Sequence, residues 1–205
     1  MFAYTGGVHD PLQGTLLGSL EPAVDPGFAG LERVVLDDTA WVDVVRGWVR
    51  GADNLFAELV EQVAWSARRV RLYDTVVDEP RLTAVLRDDR PVVVEDMRRL
   101  LGARYGIEFG SVGANFYRDG RDSVAWHGDR VARDLPEAVV AVVTLGGPRR
   151  FLLRPLGGGR SVRFEPRSGD LLVMGGSCQR TWQHSVPKVG RAQPRVSLTF
   201  RHAYR

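Results

Sequence analysis

Beyond Gly110 the distribution of apolar and polar residues changes period. Short runs (VGANFY, AVVAVVTL, RRFLLRPL, SVRFEP, DLLVMGG and RVSLTFR) either alternate apolar with polar positions or are apolar throughout, and Gly, Pro and Asp turns separate them. A two-residue period broken at short intervals predicts the strands of an antiparallel sandwich or jelly roll. Upstream, apolar positions recur at helical spacing. This predicts an amphipathic helix over about 54–66, capped by Asp53, and a second over about 92–105, with Pro91 at its first turn and Gly106 behind it. A shorter helix is expected over Thr39–Val49 and a short strand near Leu31–Leu36, while the Gly/Pro-rich opening through about Gly30 reads as coil. The fold class expected is α+β and β-rich, a jelly-roll core with helices packed outside it.

At 205 residues and 44% hydrophobic, the chain has material for one sizeable core, so a single domain is expected over 1–205. The start MFAYTGGVHDPLQG lacks the basic and apolar regions of a secretory signal, and the longest wholly apolar run, Ala138–Val143, is too short to span a bilayer. A soluble, cytoplasmic protein is expected. Cys178 is the only cysteine, which excludes an intrachain disulfide and a thiolate cage, so any metal must be held by nitrogen and oxygen. Net charge is +3, but residues 149–205 hold 12 Lys and Arg against 2 Asp and Glu, leaving 16 against 23 upstream. That division, +10 against −7, suits an anionic partner such as nucleic acid or a carboxylate cosubstrate.

Residues 113–129, GANFYRDGRDSVAWHGD, place one of four histidines two positions before an aspartate. In an extended segment His127 and Asp129 share a face. His184, in TWQHSVP, lies 55 residues after Asp129 with several expected strands between, so a folded β core can return it to the pair. Two histidines and one carboxylate make the facial triad that leaves open positions on a non-haem Fe(II). On the run PRVSLTFR, Arg195, Ser197, Thr199 and Arg201 share one strand face, and Val196, Leu198 and Phe200 the other. If the apolar face packs on the helices, two guanidiniums enter the interior and need anionic partners, a need that a dicarboxylate meets. Asn115 and Tyr117 flank Phe116 in the same manner.

In this order, Asn-x-Tyr, His-x-Asp, His and Arg-x-x-x-x-x-Arg, the chain resembles the AlkB family of Fe(II)/2-oxoglutarate dioxygenases. The resemblance runs from roughly Arg71 to the C-terminus and rests on NFYRDGRDSVAWHGD, SGDLLVMGGSCQRTWQH and RVSLTFR. It implies a double-stranded β-helix over about 107–205, a nucleotide-recognition lid over about 68–90, and an N-terminal extension over 1–50. It further implies that His127, Asp129 and His184 hold iron, and that Asn115, Tyr117, Arg195, Ser197, Thr199 and Arg201 surround 2-oxoglutarate. The cofactors implied are Fe(II), 2-oxoglutarate and O2. The activity implied is oxidative demethylation of N-alkylated bases in DNA, single- or double-stranded, with RNA as a further partner and the protein acting as a monomer.

Substrate contacts are expected at Arg71, Tyr73, Arg81, Trp126, Val131, Arg154 and Arg160. Tyr73 would be either an apolar wedge in a hairpin before Pro80-Arg81 or a core ring packed against the helix containing Trp65, and Arg154 and Arg160 phosphate contacts around the Gly157–Gly159 tip. Two positions depart from the family pattern: Ser197 stands where Asn is common, and Val131 where relatives place an acidic residue. Two alternatives stay open. One is the same oxygenase chemistry on RNA, a free nucleotide, a protein side chain or a small metabolite; the other is a metal-binding jelly roll without turnover.

Overall fold

The computed structural model describes residues 21–72, 75–87, 90–129 and 135–203. Two antiparallel sheets face each other. The larger has eight strands in the order β2 (Glu32–Val35), β3 (Ala40–Val45), β12 (Leu171–Gly176), β9 (Val140–Gly146), β14 (Arg195–His202), β7 (Phe109–Tyr117), β6 (Thr75–Leu86) and β5 (Ser66–Leu72). The smaller has the order β11 (Val162–Phe164), β10 (Phe151–Pro155), β13 (Trp182–Val186) and β8 (Val124–His127), and a separate pair joins β1 (Ala23–Val24) to β4 (Val49–Arg50). Helices α1 (Ala52–Gln62) and α2 (Val92–Tyr105) cover the outer face of the large sheet, and α3 (Cys178–Thr181) is a single turn between β12 and β13. The β-rich jelly roll expected from the alternation is the fold observed.

Alternation sorts the side chains into two cores. Val140 and Val142 of β9 with Leu172 and Met174 of β12 point between the sheets, onto Phe151, Leu153, Phe164 and Val186. Ala141, Val143, Leu171 and Val173 point the other way, onto Leu55 and Leu59 of α1 and Val94, Met97 and Leu101 of α2. These two central strands are covered on both faces, which is why they read as unbroken apolar runs. Strands β14 and β7 lie beside them and differ. Val196, Leu198, Phe200, Val112 and Ala114 go to the helix side, so the inner face of both strands is left to polar residues.

Helix α2 occupies the span expected, ending at Gly106 in the left-handed region (φ 66) with its N–H returned to Gly102. Helix α1 begins and ends earlier than the pattern predicts. Its N-cap is Gly51 (φ 62), not Asp53, and the Asp53 carboxylate instead accepts a 2.7 Å hydrogen bond from the Ser168 hydroxyl. The third expected helix is absent. Thr39–Val49 contains β3, paired with β2 on one side and β12 on the other. Val42 and Val44 enter the inter-sheet core while Val45 faces the helices, a period of two that the apolar residues on both faces had disguised. Within the stretch read as an extension, residues 40–45 are therefore a strand of the main sheet.

The hairpin expected before Pro80-Arg81 is present as β5 and β6, and β6 starts at Thr75, earlier than the segment after Pro80. Pro80, with no N–H to donate, sits where the β5–β6 register shifts, and its carbonyl accepts 2.7 Å from the Ser123 N–H. Tyr73 and Val131 lie outside the described residues. No helix among the described residues is long and apolar enough to cross a membrane.

Asp43 ties β3 to its surroundings. The carboxylate is 1% exposed, takes two bonds from Arg33 at 2.6 and 2.8 Å, and accepts 3.0 Å from the Tyr105 hydroxyl. Asp43→Ala strips two donors of their acceptor inside the β3–α2 junction, and we expect it to cost about 1–3 kcal/mol. Thermal unfolding of the variant checks this, with a fall of several degrees as the expected result.

Candidate metal and cosubstrate site

Strands β13 and β8 set His184 directly opposite His127, and the two rings lie with centroids 4.2 Å apart. Asp129 follows two residues after β8 ends. Its Oδ2 is 3.9 Å from His184 Nε2. The structure thus brings the three residues together across 57 positions of sequence. His127 Nδ1 lies 2.9 Å from the Ala125 carbonyl, which can only accept, so Nδ1 donates there and Nε2 is the nitrogen left to face a metal. Burial pushes His184 down to about 3, with His127 adding to the effect, so this imidazole is neutral, the form that binds metal. Burial opposes the charge on Asp129, but the Arg201 guanidinium beside it holds the carboxyl below its ordinary value.

Arg201 Nε donates to Asp129 Oδ1 at 2.9 Å. Among the described residues no three His, Cys, Asp or Glu groups close into a coordination set. The donor chemistry nonetheless fits an Fe(II) facial triad: two imidazoles and one carboxylate, adjacent, with His184 and Asp129 buried and no thiolate.

Behind the triad a cavity is lined by Asn115, Tyr117, Arg195, Ser197, Thr199 and Arg201. It exists because β14 and β7 pair in register, Arg195 with Tyr117 and Ser197 with Asn115, so their polar faces coincide. Arg195 is fully buried. Its Nη2 donates 3.1 Å to the Thr144 hydroxyl, yet Nε and Nη1 have no partner, and burial brings its pKa down to about 10. A guanidinium this desolvated calls for an anion. The orphaned donors and the hydroxyls beside them fit one carboxylate of 2-oxoglutarate. Ser197 faces this space, 3% exposed, where its hydroxyl adds a short polar group to the wall.

Arg81 of β6 lines the same cavity and donates 2.9 Å to the Asn115 side-chain carbonyl. Trp126 and Arg154 do not line it. Each precedes or follows an inward residue by one position, His127 on β8 and Leu153 on β10, so both point out of the sandwich, where the Arg154 guanidinium stacks 4.1 Å over the Trp126 ring. Arg160 is exposed beside Gly157–Gly159, all three at positive φ. The backbone of Arg71 is in β5, paired with Val76.

Three supporting residues escaped sequence reasoning. Thr144 is one hydroxyl in an apolar run, and only the β9–β14 pairing sets it against Arg195. Gln179, on α3, accepts 2.9 Å from the Asp129 backbone N–H and donates to Met174 Sδ at 3.4 Å. Gly128 permits this approach, because a Cβ there would stand 2.6 Å from the Gln179 carbonyl oxygen. The glycine between His127 and Asp129 was the available signal.

The model described as the 2OG-Fe(II) oxygenase superfamily matches residues 56–201. This chain belongs to that superfamily. It is 30% identical over 215 residues to alpha-ketoglutarate-dependent dioxygenase alkB homolog 3 of Bos taurus, covering 91% of this chain and 71% of that protein. Within the superfamily it therefore belongs with the AlkB homologues. Identity to the Mus musculus alkB homolog 3 is 32% over 180 residues, 76% of this chain and 63% of the relative, so the chain spans less than two thirds of that protein's length. With the DNA oxidative demethylase ALKBH2 of Arabidopsis thaliana it is 30% over 191 residues, covering 72% and 61%. Among solved structures, a Trichoplax adhaerens prolyl hydroxylase in complex with a hypoxia inducible factor peptide superposes with TM-score 0.60 at 13% identity, over 78% of this chain and 82% of that one. OsALKBH1 superposes at 0.55 and 14%, over 84% and 100%. Both show the same fold. The family's Fe(II) and 2-oxoglutarate match the donor set and the orphaned Arg195 described above.

Gly128→Ala forces the β8–Asp129 segment off the α3 backbone. We expect a loss of about 1–3 kcal/mol, the range for overpacking a filled site. Chemical denaturation measures it, and a Gly128→Ala protein of unchanged stability would mean that the close approach is absent in solution.

Proposed function

We propose that this protein is an Fe(II)/2-oxoglutarate-dependent oxidative dealkylase of N-alkylated bases in DNA. The observation that carries the reading is Arg195, fully buried with two unpartnered guanidinium nitrogens, in a cavity that opens onto His127, Asp129 and His184. A buried cation held beside a two-histidine, one-carboxylate cluster is what a metal-chelating dicarboxylate requires. The DNA substrate is suggested by the relative whose name gives it, and by the basic C-terminal region.

His127, Asp129 and His184 would hold the iron. The bound pair supplies the oxidising equivalent: with O2, an N-methyl C–H becomes C–OH while 2-oxoglutarate leaves as succinate and CO2. The resulting N-hydroxymethyl group then breaks its C–N bond, releasing formaldehyde and returning the proton to the base nitrogen. The rest of the work falls to positioning and exclusion of water. Arg195, with Tyr117 packed 5.4 Å beneath its guanidinium, would fix one carboxylate. Arg201 already neutralises Asp129, and a bound metal would take over that duty, freeing the guanidinium for a ligand anion. Arg81, locked to Asn115, borders the same space from the β5–β6 hairpin and would limit access from that side.

Formaldehyde and succinate measured from N-methylated oligonucleotides, single- and double-stranded, with Fe(II), ascorbate and 2-oxoglutarate, test the reading directly. Both products are expected in equal amounts; succinate without formaldehyde would move the substrate away from methylated bases. Asp129→Ala should abolish both, since only neutral imidazoles then face a dication. Arg195→Ala should raise the 2-oxoglutarate concentration needed for half-maximal rate by well over tenfold, from the loss of about 2–5 kcal/mol at a buried carboxylate. An unchanged requirement would remove Arg195 from the cosubstrate site.

A further inference from the structure

A second basic surface lies beyond the start of β14. Four connections, the β3–β4 turn, β9–β10, β11–β12 and β13–β14, meet around an open cleft of about 1020 Å³, lined by Arg46, Arg149, Arg150, Arg167 and Arg191 with Glu165 and Asp170. Both carboxylates are already engaged. Asp170 accepts from Arg46 at 2.6 Å and from the backbone N–H groups of Gly47 and Arg167 at 2.9 and 2.8 Å. Glu165 takes Arg163, and Arg150 lies 3.9 Å away. Arg149 is buried, donating to the carbonyls of Asp119, Asp122 and Pro187, and so anchors the cleft floor. Arg167 and Arg191 are exposed on the rim, and their guanidiniums make no ion pair or hydrogen bond among the described residues. With Asp170 taken by Arg46 and Glu165 by Arg163, the exposed Arg167 and Arg191 remain as two unpaired cations on the rim.

A chain of backbone contacts links the cleft to the candidate site. Arg81 borders the cavity, Pro80 beside it binds the Ser123 N–H, and Gly120 in the same turn accepts 2.8 Å from Val189, which lines the cleft. Along β14, Arg201 at Asp129 and Arg195 at the cleft end are six residues apart, roughly 20 Å at 3.3 Å per residue. That distance is about six stacked nucleotides at 3.4 Å each. We infer that the cleft holds the phosphodiester backbone of the same nucleic-acid strand whose base enters the cavity, through Arg167 and Arg191. The inference rests on the nucleic-acid reading above. An open, multi-arginine surface at this separation suits a polyanion better than a single small anion, which an enclosed pocket would hold.

The double variant Arg167→Glu, Arg191→Glu alters exposed side chains and should leave the melting temperature unchanged. Anisotropy titrations with a fluorescent single-stranded 15-mer and a trinucleotide, each carrying one N-methylated base, read the effect. The variant should bind the 15-mer at least tenfold more weakly, with its log affinity against log salt slope reduced by about 1.4, two contacts at about 0.7 each. Trinucleotide turnover should be unaltered. Wild-type affinity of the variant for the 15-mer would overturn the proposal, as would an equal loss on both lengths or equally tight wild-type binding of polyglutamate, which would assign the cleft to acidic peptides. The dealkylase reading is judged separately: binding of the 15-mer that depends on Arg167 and Arg191, without formaldehyde from either length, would uphold the cleft and overturn that reading.

Discussion

The organising constraint of this protein is a charged strand face inside a sandwich. Arg195, Ser197, Thr199 and Arg201 alternate with Val196, Leu198 and Phe200, and the apolar set is claimed by α1 and α2. The strand cannot turn over without exposing three large apolar side chains and losing the helix contacts, so the polar set must face the second sheet. Once there, a fully buried guanidinium has to be supported. Thr144 and the Tyr117 ring do part of this, and two guanidinium nitrogens are left for a ligand. The binding site is thus the place where the core departs from apolar packing, and the rest of the fold stabilises that departure.

The two-histidine, one-carboxylate cluster is built on the facing sheet by a simpler device. His127 and His184 are cross-strand neighbours, so their separation is set by backbone pairing and not by side-chain reach. Asp129 lies off the strand end and needs its own support, which comes from Gln179 on the one-turn helix α3 and from the absent side chain of Gly128. The same helix holds Cys178, whose thiol burial pushes up to about 12, with Asp37 adding to it; this removes it as a competing metal ligand or nucleophile. Asp37 in turn accepts 2.6 Å from the Trp182 indole, binding the β2–β3 turn to β13 next to the site. Residues 21–50 thereby help to hold the strand that carries His184.

Charge is divided along the chain to the same end. The acidic first part contributes carboxylates that pin arginines in place, such as Asp43 with Arg33, Asp122 with Arg118 and Glu95 with Arg98. The basic last part has few acids of its own, and those it has, Glu165 and Asp170, are saturated. Positive charge is left over where loops at the cleft and the cosubstrate cavity meet solvent or ligand, which joins a composition visible at the outset to particular surfaces.

Local periodicity was enough to read the strands after Gly110, the span of α2 between Pro91 and Gly106, and the two-faced character of β7 and β14, because which neighbours share a face depends only on backbone geometry. The polar residues of the site could be named from the sequence for that reason. Partners across the fold were another matter. Thr39–Val49 carries apolar residues that serve either a helix or a strand, and only pairing with β2 and β12 made it β3. Trp126 stands next to His127 in the sequence, yet the register of β8 and β13 turned it outward, under the Arg154 guanidinium. Thr144 and Gln179 have no local signature at all; their roles arise from contacts 51 and 50 residues away. The sequence determined which side chains stand on each face of an element, a short-range property, while the tertiary structure decided which faces meet, because that choice is made by burial and hydrogen bonding summed over the whole chain.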